Sequence, residues 1–539
     1  MSNLSYRQQK IQEKRKKTPW REFVMEICSW KVVWLYKNQS KYTIFSKHSW
    51  IENIITHKEF EESRDWLTND PNTYDTWDFL NNLQKLLHNV SLPQTIHFGS
   101  NQNCEFTDVA YNSKDSYLSF TVTFDCENVL YTFRAGNLSK NIINSYYVID
   151  SCENIADSSM ISRSMNVFYS KSIVDSSFIW FSYNLIWCSE CIFCDNLQNQ
   201  TYYIWNKQYS KDEYFKRKKI ILTEKNQFWY YYQQVHKYPF ANINTSNSMG
   251  QWLVNSNNVE GWVMTLNLQH ARNVWWFWGK KLSEYIYDAC VSGNSDNFYG
   301  VCDSGAFSEH IYCSLQLATC ANCYYCYLLD NCSFCLWCIG LKNKSYCILN
   351  KQYSKEERYE KVDEIFAQME KEPHPDPLLA GEGENALWAF FPATMNPFYF
   401  NDTVAYLIDP SFTKEEVTAK WYLRRDAPIK VDIPAGVQTV KTSELDKFEG
   451  WVVDGNFYQQ SVIASETKQS IDGSPQSKSS FAMTGTRRID PEIMKKVIVD
   501  DQWNAYRIIP MEYEFLMKHG LPLPRKHWLE RMKENFRIS

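Results

Sequence analysis

Two hydrophobic rhythms divide this chain. Between Asp75 and Val90 the apolar residues Trp77, Leu80, Leu83, Leu87 and Val90 recur at three- and four-residue steps, which predicts a helix closing an N-terminal region. Before it, residues 22–60 carry only short apolar runs, such as 32–36 and 42–45, and read as short strands and turns. From about Asn103 the rhythm shortens to three to five aromatic or β-branched residues separated by Ser, Asn and Asp. Asn128, Asn141, Asn154 and Asn166 recur at intervals of 13, 13 and 12, and Cys320, Cys323 and Cys326 return twelve residues later as Cys332, Cys335 and Cys338. A short regular period of this kind predicts a parallel, stacked β-solenoid, with 12–13 residues making either a full coil or half of one.

The solenoid pattern occurs twice. Cys188, Cys191 and Cys194, running into 206–211, match Cys332, Cys335 and Cys338, running into 350–355, at a constant separation of 144 residues. Both copies end in a capping-box sequence, Ser210 with Glu213 and Ser354 with Glu357, so a helix should follow each at roughly 211–222 and 355–371 and cover the last coil's unpaired strand edge. Thr413 with Glu416 is a third box, Asp490-Pro491 is an N-cap with proline at the first helical position, and 510–519 is a short helix stopped by Gly520.

The expected fold class is therefore mainly β: two parallel β-solenoid units with helical caps, flanked by small α+β end segments. The boundaries read as a basic head and α+β segment at 1–95, the first solenoid unit at 96–210 and a capping helix with linker at 211–250. The second unit follows at 251–354, with its capping helix at 355–372. The remainder reads as an inserted loop at 373–384, an irregular α+β segment at 385–460, an inserted disordered loop at 461–486 and a C-terminal segment at 487–539. The two inserted loops resemble translated palindromic repeats of bacterial genomes and are expected to carry no function.

Composition narrows the chemistry. Among 539 residues only 17 are glycine, and neither a dinucleotide-binding nor a phosphate-loop glycine pattern is present. Residues 1–21 hold Arg7, Lys10, Lys14, Arg15, Lys16, Lys17 and Arg21, but the whole chain carries a net charge of -5, so this head reads as a solvated terminus. No apolar stretch reads as a secretory signal or membrane span; the expectation is a cytoplasmic protein without membrane contact. Seventeen cysteines in a long chain of that kind read as reduced thiols rather than a disulfide framework.

These motifs together resemble a large family of uncharacterised proteins from candidate-phyla bacteria. The resemblance rests on the two cysteine triplets with their Asn-Lys-Gln-Tyr-Ser-Lys endings, on 390–392 with 396–398 and Asn401, and on 506–510 through 521–525. It implies a shared build and no shared activity. It also implies that the first and last segments are treble-clef, zinc-ribbon-like modules. Here the zinc pair before 506–510 falls at Val499 and Gln502, only His527 follows Arg525, and Cys28 is matched with Lys31, Ser46 and Ser49. With most ligands replaced, both modules are expected to be metal-free.

Of the candidate chemistry, Cys320, Cys323, Cys335 and Cys338 have the spacing of a four-thiolate zinc or iron–sulfur site. The competing account is a structural ladder of small buried thiols that also takes in Cys188, Cys191, Cys194, Cys326 and Cys332. Ser176 and Ser182, twelve residues before Cys188 and Cys194, favour the ladder. Aromatic runs at 228–232 and 275–278 could stack sugars or bases, with core filling as the plainer reading. The acid pairs Asp150 with Asp157 and Asp175 with Glu190 could share a face, as in a polysaccharide-cleaving solenoid, but read first as turn residues. No catalytic motif and no cofactor is expected. The leading expectation is a non-enzymatic scaffold or binding protein for an unknown macromolecule, protein or nucleic acid. The alternatives are a nucleic-acid-associated protein using its basic ends and the degenerate zinc-ribbon scaffold, or a carbohydrate-active solenoid.

Overall fold

The computed structural model describes residues 19–38, 41–45, 51, 53–64, 79–104, 106–223, 253–254, 265–266, 289–290, 299–302, 308–371, 390–426, 436–453, 456–459 and 486–536. The chain forms two compact units, one from Met1–Ile96 and Phe240–Asp426, the other from His97–Pro239 and Ala427–Ser539. Each therefore combines a solenoid with an end segment distant in sequence.

The unit containing residues 97–239 is a parallel β-solenoid. Lys140 pairs with Glu153 and Glu153 with Met165, so one register step is 13 or 12 residues and each step is a full coil. Within a coil the backbone repeats every three residues: one side chain inward, one outward, and one at a corner. For the coil at 167–178 the inward residues are Val167, Ser170, Ile173 and Ser176. Tyr169, Ser172, Asp175 and Phe178 stand at the corners with φ of 51°, 60°, 48° and 58°. The coil thus has four walls, A (Val167–Phe168), B (Ser170–Lys171), C (Ile173–Val174) and D (Ser176–Ser177).

This geometry explains which residues recur. Left-handed corners favour Asn, whose short amide tolerates positive φ, and Asn128, Asn141, Asn154 and Asn166 stack as an amide ladder of 2.9, 3.1 and 3.1 Å. Bulky residues also occupy corners, Phe181 and Trp187 among them, at a left-handed cost of about 1–2 kcal/mol each. Ladder hydrogen bonds offset that cost: Phe181 N–H donates to the Phe168 carbonyl and Trp187 N–H to Val174, each at 3.1 Å.

Inward positions on walls A and C are aliphatic, including Ile155, Ile161, Val167, Ile173, Ile179 and Leu185. On walls B and D they are mostly serine, because the inward residue's own N–H points to the coil beneath it. Ser182 N–H donates to Ser170 Oγ at 3.1 Å, and Ser170 N–H to Ser158 Oγ at 3.1 Å. Each hydroxyl donates in turn to a carbonyl two residues back, as Ser170 does to Phe168 at 2.9 Å. A hydroxyl satisfies both groups inside a core too narrow for larger polar side chains.

Outward residues of walls A and B are largely apolar and buried, among them Leu130, Ile143, Phe168, Phe120, Phe133 and Tyr146. The C-terminal helix Trp528–Phe536 seats on this edge. Phe536 packs on Phe133 and Tyr146 with ring centroids 5.6 and 4.7 Å apart, Trp528 stacks on Tyr131 at 5.8 Å, and Asn535 donates to the Asn144 carbonyl at 2.6 Å. Each large apolar side chain buried there contributes about 1.5–3 kcal/mol.

The other unit holds a second parallel stack with the same step. Tyr299–Cys302, Glu309–Leu315 and Ala321–Tyr324 pair in parallel, and bridges twelve residues apart continue from Leu315↔Tyr327 to Leu336↔Ile348. Leu253–Val254 pairs in parallel with Thr265–Leu266, again twelve residues on. An end segment fastens this stack through Arg64, which donates from Nε to the Gly340 carbonyl at 2.9 Å and from Nη2 to Leu328 and Leu341 at 2.8 and 2.9 Å. Gly340 lies at a corner with φ 76°.

Several local expectations hold and others need correction. Helices occupy Lys211–Thr223 and Lys355–Lys371, directly after the two stacks. Ser354 and Glu357 bond reciprocally, but the first box is only half made. Glu213 N–H reaches Ser210 at 3.4 Å while the Glu213 carboxylate turns to Arg217 at 2.7 Å, because an arginine one turn later competes for it. Thr413 and Glu416 form a full box, and Gly520 ends Pro510–His519 at φ 64°. Asp490 caps a 3-10 turn, Pro491–Lys495. The N-terminal stretch is not only strands and turns: Trp20–Glu26 is a helix, since Phe23, Val24 and Ile27 recur at helical spacing and are fully buried. The helix near 75–90 is Phe79–Asn89, with Leu83, Leu86 and Leu87 buried; Trp77 lies outside the described residues. So do 228–232, 275–278, 373–384 and 461–485.

Candidate functional site

Three places carry chemistry worth weighing. The first is the thiol interior. Cys188, Cys191 and Cys194 point inward from walls D, A and B of one coil. In the second stack Cys320 and Cys332 hold the wall D position, Cys323, Cys335 and Cys347 wall A, and Cys326 and Cys338 wall B, while Leu317, Leu329 and Leu341 fill wall C. Like the serines, these thiols donate to a carbonyl two residues back: Cys320 to Ala318 at 3.1 Å, Cys326 to Tyr324 at 3.2 Å and Cys338 to Leu336 at 3.3 Å. They take over the serine role in part: Cys320 N–H still donates to a serine, Ser308 Oγ at 3.0 Å, whereas Asn350 N–H donates to Cys338 Sγ at 3.5 Å. All seventeen cysteines are buried. Coils lie about 4.8 Å apart, beyond the roughly 3.5–4.5 Å between Cβ atoms that a disulfide spans. Burial pushes the Cys126 and Cys152 thiols up to about 11 and about 12, so they stay protonated at neutral pH. Among the described residues, no group of three or more His, Cys, Asp or Glu side chains is placed to hold a metal ion, Cys320, Cys323, Cys335 and Cys338 included.

The second is a buried polar cluster beneath the C-terminal helix. Glu512 and Arg531 pair at 3.0 Å, Arg531 lies over the Tyr131 ring at 5.4 Å, and Asn144 donates to the Asp157 carboxyl. Burial raises Asp157 to about 7 against the opposing pull of Arg531, and burial also raises Glu512. Nearby Lys171 is lowered to about 7 by burial alone, and His527 to about 4 by burial with Arg531 beside it. Arg531 over Tyr131 joins the end segment to the solenoid, so its pair with Glu512 helps dock that segment.

The third is wall D of the first solenoid. Its outward column reads Lys114, Glu127, Lys140, Glu153, Met165, Ser177, Ser189 and Thr201, mostly exposed. Lys114 and Lys140 flank Glu127 at 3.4 and 3.3 Å, and the hydroxyls of Ser177 and Ser189 meet at 3.1 Å. Exposed Leu138, Met165, Phe178 and Trp187 stand on this wall or its two corner columns. This contrasts with the buried outward residues of walls A and B.

The acid pairs do not share a face. Asp150 and Asp175 occupy the corner between walls C and D, on either side of Arg163, at 3.8 and 2.7 Å from its guanidinium. Asp157 lies at the corner between A and B, and Glu190, at the corner between D and A, pairs with Lys218 at 2.5 Å. All four have positive φ, as turn residues do. Missed in the sequence was the three-residue period itself, although an inward small or aliphatic residue at every third position from 155 to 197 is a signal that an explicit count would have found.

Among the described residues no helix is long and apolar enough to cross a membrane. The fold places the protein among the parallel β-solenoids. Comparison with family models, curated proteins and solved structures finds no match.

Proposed function

We infer that the protein is a non-enzymatic scaffold or binding protein, and that wall D of the first solenoid receives a macromolecular partner. The observation carrying this reading is the division of labour among the walls: A and B are buried, the interior is filled by Ser, aliphatic and Cys rungs, and Leu138, Met165, Phe178 and Trp187 stand in solvent on or beside D. On this reading the helices Lys211–Thr223 and Lys355–Lys371 close the ends of the stacks; buried Tyr214 against Tyr202, ring centroids 5.6 Å apart, supports the first closure. The end segments are read as treble-clef-like modules that have dispensed with zinc. Asp500 supports this for the last one: its carboxylate accepts from the N–H groups of Gln502, Asn504 and His527 at 3.0, 2.8 and 3.3 Å, tying together the two places that zinc ligands would join. A reducing bacterial cytoplasm suits a chain with seventeen buried cysteines.

The test is site-specific photo-crosslinking in cells from the full chain, with the crosslinker at Ser177 or Trp187 and, as control, at Gln198 on wall C. Discrete adducts from Ser177 and Trp187 alone are expected. Equal labelling from Gln198, or steady turnover of a glycan panel by the purified protein, would overturn the reading.

A further inference from the structure

The last coil of the first solenoid and the helix after it form a basic edge on a chain of net charge -5. Lys207, Lys211, Lys216, Arg217 and Lys219 are all exposed within thirteen residues. Within 207–219 the acids are Asp212 and Glu213, and Glu213 is held by Arg217 at 2.7 Å; Asp195 of the same coil is engaged by Asn206, and Glu190 by Lys218. Aromatic rings are set among these cations. Trp205 and Phe215 are 56% and 41% exposed, and Tyr209 lies between Lys207 and Arg217, whose charges stand 5.7 and 4.8 Å from its ring centroid. Trp205 stacks on Phe193 at 4.6 Å and ends a corner column of rings that continues through Phe181 and Tyr169 at 5.2 Å spacings.

The duplicated copy supplies an internal control. At the positions 144 residues on, Lys216 is replaced by Glu360, Lys219 by Asp363, and Trp205 by Leu349, which is buried. The helix Lys355–Lys371 forms all the same, so neither the basic charge nor the exposed indole is a requirement of the fold. Lysine and arginine interleaved with exposed rings are the chemistry that holds a phosphate backbone while bases lie on aromatic faces. Paired bases in a duplex cannot reach those rings. We propose that this edge, residues 205–219, binds single-stranded nucleic acid through phosphate contacts from Lys207, Lys211, Lys216, Arg217 and Lys219 and base stacking on Trp205 and Phe215. The site adjoins the Phe178 corner of wall D, where Lys218 Nζ lies 5.6 Å from the Phe178 ring centroid, but its contact residues at 205–219 are neither those of wall D nor the basic residues at the two chain ends, so each reading is tested by its own variants.

The experiment uses the full chain and fluorescence anisotropy with labelled single-stranded dT20, rA20 and a 20-base-pair duplex. Neutralising about four phosphates gives a salt slope near -2.8, so affinity for the single strands should fall about fiftyfold between 50 and 200 mM salt. Lys216→Glu with Lys219→Asp installs the residues of the other copy and should weaken binding at least tenfold. Trp205→Leu should weaken it by about fivefold or more while leaving the salt slope unchanged. If the charge-reversed chain fails to fold by circular dichroism, Lys216→Gln with Lys219→Gln replaces it. Five outcomes overturn the proposal: no binding at 50 mM salt, equal or tighter binding of the duplex, binding indifferent to these substitutions, loss only on removing residues 1–18, or preference for anionic phosphatidylglycerol vesicles. Loss of the wall D crosslinks with retention of single-strand binding would sink only the reading of wall D.

Discussion

Removing one serine hydroxyl from the interior tests the logic of the stack. Ser170 is buried; its Oγ donates to the Phe168 carbonyl at 2.9 Å and accepts the Ser182 N–H at 3.1 Å. In Ser170→Ala the Ser182 N–H, itself in the core, loses the hydroxyl that accepts it one coil away. A buried donor left unmade costs about 1–3 kcal/mol, which at 1.4 kcal/mol per factor of ten is roughly a 5- to 150-fold rise in local opening. Ser170→Cys should cost less, because Cys338 shows a thiol accepting the equivalent N–H from Asn350, although at 3.5 Å. Ser177→Ala, on the outer surface of wall D, should stay within about 0.5 kcal/mol. Hydrogen exchange with mass spectrometry, read on peptides covering 168–195, measures all three. Equal exchange in Ser170→Ala and the native chain, or an equally large effect of Ser177→Ala, would refute the reasoning.

Four further outcomes follow from the geometry. Arg64→Ala strips the carbonyls of Leu328, Gly340 and Leu341 of their guanidinium donor, so exchange across 328–350 should rise more than tenfold, with Arg64→Lys restoring only part of the protection. Asp157 holds its proton to about 7 in the folded chain against an ordinary 3.8, so its contribution to docking of Trp528–Phe536 is full below about pH 4 and is lost as pH rises to about 7. The loss is at most about 4 kcal/mol, and Asp157→Asn should abolish it in pH-dependent exchange of that helix. His527, lowered to about 4, acts in the opposite sense between about pH 6.5 and 4, which a parallel His527→Gln titration separates. A bulky aromatic disulfide reagent should leave the thiols of the folded chain unmodified, with all seventeen titrating only in denaturant; rapid native modification of Cys323 or Cys335 would contradict their burial.

How much of this could be read in advance depended on how tightly each position is constrained. Asparagines at 128, 141, 154 and 166 and thiols at 320–338 were legible because a left-handed corner and a narrow core each admit few side chains. The three-residue period was obscured because outward positions accept anything from Lys114 to Trp180, and because corners accept Tyr131, Phe181 and Trp187, residues that ordinary turn preferences place elsewhere. The pairing of each solenoid with a distant end segment was not legible. It depends on single contacts, such as Arg64 with Gly340 across 276 residues and Asn535 with Asn144 across 391, that leave no periodic trace. The exposed wall was half visible as alternating Lys and Glu at 114–153, but which wall faces solvent follows only once the covered edge is known.

Coils pile in register along wall D, and spin-label distances measure that spacing directly. With labels attached through noncanonical residues at Lys114 and Ser189, six coils apart in the pairing register, electron–electron double resonance should give about 29 Å at roughly 4.8 Å per coil. Lys140 with Ser189, four coils apart, should give about 19 Å. Narrow distributions stepping with coil number support the stack; broad distributions, or distances that do not grow by a constant step per coil, would contradict it.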